Sequence, residues 1–147
     1  MTSQNESTIR KALLVLASVM FAGTPVELWL ADHTQEPAQF VPFVLCILGL
    51  LALLAVIFRP SRSTLRALQA AMLLNIVGGL VGIGLHLAGN YTFEQEIRPN
   101  AAASELILDT LKGANPLIAP GLLVFIALMV LIAIYRHPAG RKDARSL

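Results

Sequence analysis

Two ionisable residues fall inside long apolar runs of this chain, Glu27 and His86. Charge is costly in lipid, so an ionisable residue there is a functional candidate by default and needs a partner. Glu27 stands four residues before the first run ends near Ala31, and His86 three before the third ends near Gly89. At about 1.5 Å per residue, both lie roughly 5 Å below the same boundary. If their helices are neighbours, the two side chains meet.

Such a pair supports three chemistries. The first is structural: a Glu27–His86 hydrogen bond that fixes helix register. The second is a divalent metal site in which His33, Glu94 or Glu96 join Glu27 and His86. Nitrogen and carboxylate donors favour zinc, iron or manganese over soft copper(I), although no HExxH or ExxH motif accompanies them. The third is proton or cation handling, with the two groups alternating protonation. His33 joins any of these only if the first helix ends before it, because it lies about 120° around a continuous helix from Glu27. If the third helix continues outward, His86, Asn90 and Glu94 recur on one face at four-residue spacing. Bis-histidine haem is disfavoured, since His33 lies outside the span and His137 at the opposite end of the bundle. No Ser-His-Asp pattern, phosphate-binding loop or dinucleotide fingerprint is present, which argues against an enzyme.

The elements that must position these residues follow from composition. Of 147 residues, 56% are hydrophobic and 14% charged, with a mean hydropathy of +0.70. Soluble domains average about 25% charged. A soluble enzyme, a disordered regulator and a nucleic-acid module are therefore excluded. The lone cysteine, Cys46, rules out a disulfide or CxxC pair within the chain. Four apolar runs, at about 12–31, 40–58, 68–89 and 117–135, each approach the length that crosses a hydrocarbon core of about 30 Å. Backbone groups in lipid must be satisfied internally, so the runs read as helices. The expected fold is an all-α integral membrane protein, a single four-helix bundle over residues 1–147. The first run resembles a signal sequence at its start, but it continues through Trp29 without a clean cleavage site, so an uncleaved helix is expected.

Charge sets the orientation. Arg10, Lys11, Arg59, Arg62, Arg66, Arg136, Arg141, Lys142 and Arg145 flank one end of the spans, while the other has only Arg98 and Lys112. Asp32, Glu36, Glu94, Glu96, Glu105 and Asp109 accompany those two. The positive-inside rule places both termini in the cytoplasm of a bacterial-type inner membrane. In the long outer loop a short helix is expected over 104–113. It lies on the membrane surface through Ile107, Leu111 and Ala114, or it caps the bundle.

Packing signals gather in the third run. Gly78 and Gly82 form a GxxxG pair and Gly79 thins the helix further, so backbones can approach closely there. The close partner is a neighbouring helix of the same chain or a second copy. Asn75 is expected to hydrogen-bond between helices. Pro42 and Pro120 suggest an outer half more open than the inner. Small multidrug transporters share a four-span layout with a glutamate in the first helix; the charge bias and long acidic loop here differ, so only the layout is shared.

The sequence thus favours a non-catalytic accessory or assembly subunit of a larger membrane complex, in contact with the lipid bilayer and with a membrane-protein partner or its own copies. The alternative is a metal-binding or proton- or cation-coupled protein built on Glu27 and His86.

Overall fold

The structure is a computed structural model that describes residues 3–140. The basic tail residues Arg141, Lys142 and Arg145 lie outside the described residues. Five α-helices follow in chain order: α1 Ser3–Leu30, α2 Val41–Phe58, α3 Arg62–Ile97, α4 Ala103–Lys112 and α5 Ile118–Ile134. Short 3-10 turns cover Pro37–Phe40 and Pro138–Gly140. α1, α3, and α2 with its leading turn are long and apolar enough to cross a membrane, while α5 is an apolar helix of 17 residues.

Element by element this matches the expected runs, with two extensions. α1 begins nine positions before the expected Ala12, and α3 runs for 36 residues. Neither extension meets a proline, so each helix propagates one hydrogen bond at a time once nucleated. The prolines expected to loosen the outer ends do something simpler. Pro42 is the second residue of α2 and Pro120 the third of α5, within first turns whose N–H groups have no helical acceptor anyway. The interior proline is Pro25 of α1, which removes the donor that would meet the Phe21 carbonyl.

Packing follows the chain. α1 packs on α2, α2 on α3, α3 on α5, and α5 returns to α1. α1 and α3 therefore stand diagonally across the bundle. Phe21, Leu53, Leu68, Met72, Leu123, Ile126 and Val130 fill the centre. Val19, Leu51, Leu80 and Ile132 are exposed on the outside, as expected of surfaces that face lipid acyl chains.

Glycines set the closest approaches. The Phe21 ring lies over Gly49, where a Cβ would come within 2.8 Å of it. On α3 the small residues divide between two neighbours. Gly78 takes the Leu45 side chain of α2, whereas Gly79 and Gly82 face α5. A Cβ at Gly79 would stand 2.7 Å from the Pro120 carbonyl oxygen, and one at Gly82 2.9 Å from the Pro120 ring. The α3–α5 approach thus uses an i,i+3 pair and not the GxxxG pair read from the sequence. Asn75, fully buried, donates to the Leu45 carbonyl of α2 at 3.2 Å and to Ala71 within α3 at 2.9 Å.

The hairpin between α2 and α3, at the basic end of the bundle, is closed by Ser61. Its Oγ accepts from the Thr64 backbone N–H at 3.1 Å, and its own N–H donates to Thr64 Oγ1 at 2.9 Å. This reciprocal cap satisfies two donors at the start of α3.

Candidate functional site at the acidic end of the bundle

α1 ends in a turn that reverses the chain over its own last residues. Asp32 adopts a left-handed conformation, φ 52°. The His33 N–H then reaches the Leu28 carbonyl at 2.9 Å, and the Asp32 N–H reaches Trp29 at 3.1 Å. These two bonds define a Schellman ending with aspartate in the position glycine usually takes. Because the helix stops, His33 turns back over the bundle and faces His86 of α3, ring centroids 6.2 Å apart.

His86 is fixed by a different contact. Its Nδ1 lies 2.8 Å from the Pro116 carbonyl oxygen just before α5. A carbonyl only accepts, so Nδ1 carries the proton, and in the neutral ring Nε2 is the lone-pair nitrogen. His33 is half-buried, and its pKa is held below the usual value of 6.5, first by desolvation and then by repulsion from His86.

The expected Glu27–His86 pair does not form. Their helices are diagonal, and Glu27 is exposed on α1 with no side-chain partner among the described residues. Nor do the five expected metal ligands converge. His33 and His86 meet, Glu94 is paired with Arg98, and Glu27 and Glu96 stand exposed and apart. Among the described residues no group of three His, Cys, Asp or Glu side chains is placed to hold a metal ion. Zinc sites use three or four protein ligands, so the residues present do not fit one.

The face of α3 carrying His86, Asn90 and Glu94 has another use. α3 does continue past Gly89, and these residues grip the segment that leads back to α5, Glu94 by way of Arg98. His86 holds Pro116. Asn90, 2% exposed, donates to the carbonyls of Thr110 and Asn115, both at 3.0 Å, and accepts from the Asn115 N–H at 2.9 Å. Glu94 accepts from Arg98 at 3.0 Å, and Arg98 also bridges to Asp109 of α4. Those two carboxylates, Asp109 foremost, push the Arg98 pKa up. Two glycines make room for the amides: a Cβ at Gly113 would overlap Asn90, and one at Gly89 would stand 2.9 Å from Asn115. Asn90 as the hub was hidden in the sequence. Its signal was a pair of Gly/Asn neighbourhoods, Gly89-Asn90 and Gly113 to Asn115, that only the fold brings together.

Held this way, α4 buries Leu106 and Thr110 and leaves Ile107, Leu108 and Leu111 exposed at 56%, 64% and 52%. The exposed apolar face of α4 is thus made by Ile107, Leu111 and Leu108, while Ala114, expected on the same face, lies beyond the end of the helix.

Removing the hub should release α4. Asn90→Ala deprives three backbone groups of their partner, at a cost of about 2–3 kcal/mol if they stay dry. Hydrogen exchange in lipid nanodiscs should show α4 amides losing protection while α2 and α5 keep theirs. Unchanged α4 protection would remove Asn90 from this role.

No family model matches this chain, and neither does any characterised protein or solved structure.

Proposed function

We propose that this chain is a non-catalytic accessory subunit of a bacterial-type inner-membrane complex, with four spans, cytoplasmic termini and an outward platform made by the end of α3 and α4. The observation that carries this reading is the pairing of a braced α4 with an unpartnered apolar face. Glu94, Arg98 and Asp109 are engaged in holding α4, so they are not free for acid–base work. The surface they support is made by Ile107, Leu108 and Leu111, at the end of the bundle where acids outnumber bases. A rigid apolar face on a polar scaffold suits a protein partner, which gains from burying it about 25 cal/mol per Å². The occupant proposed is the outer surface of another membrane protein.

The test is purification from the native membrane in mild detergent. The wild-type chain should elute with a stoichiometric polypeptide, and Ile107→Gln combined with Leu111→Gln should release it while thermal stability stays the same. Wild-type chain eluting alone, or a partner retained by the double variant, would contradict the proposal.

A second reading, proton response, is favoured by the His33–His86 contact. The sign follows from the lowered His33 pKa. The fold prefers neutral His33, so this contribution is complete above pH 6.5 and is lost as pH falls below that value. His137 is shifted downward too, by burial and then by Arg10, and acts in the same direction at the other end. His33→Gln should therefore weaken, not abolish, the loss of thermal stability between pH 7 and about pH 5. An unchanged slope, or a His33 imidazole titrating at or above 6.5 by NMR, would rule this reading out.

A further inference from the structure

At the acidic end of the bundle His33 and His86 face each other, ring centroids 6.2 Å apart and planes inclined by 56°. Both residues are held in place. The His33 N–H donates to the Leu28 carbonyl at 2.9 Å, and the next N–H, of Thr34, donates to the Asp32 carbonyl at 2.8 Å. The loop beyond is tied by Gln39, whose Oε1 accepts from the N–H groups of Gln35 and Glu36 at 2.6 and 3.1 Å. Across from it, His86 Nδ1 donates to the Pro116 carbonyl at 2.8 Å. That leaves His86 Nε2 with a lone pair, and the His33 ring accepts or donates no hydrogen bond among the described residues.

The separation decides what the two rings can share. A direct hydrogen bond needs nitrogens within about 3.2 Å, which, with each nitrogen about 1.2 Å from its ring centre, limits the centroids to roughly 5.6 Å. The observed 6.2 Å is too wide. A shared metal ion about 2.0 Å from each nitrogen allows roughly 6.4 Å when the nitrogens stand on opposite sides of it, and roughly 5.2 Å at a tetrahedral angle. The rings therefore stand at the spacing of a nearly linear bridge. Among the described residues no third His, Cys, Asp or Glu is placed to join them. Zinc, whose sites need three or four protein ligands, does not fit. A monovalent ion with a filled d shell takes two ligands in line, and copper accepts imidazole.

We propose that His33 and His86 form a two-coordinate site for copper(I), one ion per chain, each ring giving one nitrogen. The Pro116 carbonyl is the outer partner that a metal-bound imidazole commonly has. By taking the Nδ1 proton it fixes the tautomer and makes Nε2 the better donor. Acids outnumber bases at this end of the bundle, so the surrounding field favours a cation. The carboxylates that would draw a harder divalent ion are elsewhere: Glu27 and Glu96 stand exposed and apart, and Glu94 is engaged with Arg98. A bound ion would tie the end of α1 to α3, two helices that packing leaves diagonal. The proposal depends neither on a partner at α4 nor on a proton response.

The full chain, free of any affinity tag and in chloride-free detergent buffer, tests it. The probes are silver nitrate, a redox-inert stand-in, and copper(I) kept reduced with ascorbate. Equilibrium dialysis with elemental analysis should give one tightly held silver ion per chain, and zinc should bind at least tenfold more weakly. X-ray absorption at the copper edge should show two nitrogen neighbours and no sulfur. His33→Gln and His86→Gln should each weaken silver at least tenfold. His33→Gln breaks no side-chain hydrogen bond, and the absorption spectrum needs no variant, so both cover the case in which His86→Gln fails to fold. Cys46→Ser and His137→Gln should bind as the wild type does. Absence of a tight silver ion, equally tight zinc, a third or a sulfur neighbour, retention by the His33 variant, or loss in Cys46→Ser or His137→Gln would overturn the proposal.

Discussion

The dominant constraint on this molecule is that α3 is longer than a membrane is thick. Its 36 residues span roughly 54 Å against a hydrocarbon core of about 30 Å. The surplus at the acidic end must find partners in place of lipid, and the Asn90 amide supplies them. By meeting both Thr110 and Asn115, it ties α4 and the approach to α5 to one point on α3. From there His86 and Glu94 extend the same grip one turn inward and one turn outward. Without that stripe, the connection from Ile97 to Ile118 would be a long loop over the bundle; with it, α4 becomes a fixed surface.

The two left-handed residues among those described, Asp32 and Arg136, end α1 and α5. Each turns its chain back over the bundle and delivers polar side chains there: His33 toward His86 at the acidic end, Arg136 and His137 at the basic end. A glycine would make either turn with less strain, but only a side chain contributes chemistry. The termini of the apolar helices therefore hold the features of interest, while the middle is close packing organised by Phe21 on Gly49 and by Gly79 and Gly82 on Pro120.

Much of this architecture was legible in the sequence because lipid imposes a simple rule on it. Runs of about 20 apolar residues marked the helices, and their observed ends differ little except where α1 and α3 continue into polar sequence. The recurrence of His86, Asn90 and Glu94 at four-residue spacing was visible too. Its role was not, because its acceptors lie some 20 to 30 positions away in sequence. The Glu27–His86 pair failed for a related reason. Equal depth in the bilayer is readable from a single chain, but which helices are neighbours depends on packing, and α1 and α3 turned out diagonal. The division of glycines between α2 and α5 is likewise set by crossing geometry that a GxxxG pattern does not specify.

The account depends on the braced α4 and the start of α3 facing opposite sides of the membrane. Cysteine labelling measures this directly. In a Cys46→Ser background, Ser104→Cys would place one thiol at the exposed start of α4, and Ser63→Cys would place one on the exposed first turn of α3. A membrane-impermeant maleimide should label Ser104→Cys in intact cells and Ser63→Cys only after permeabilisation. Labelling of both from the same side would mean that α3 does not cross, and would contradict the proposed outward platform.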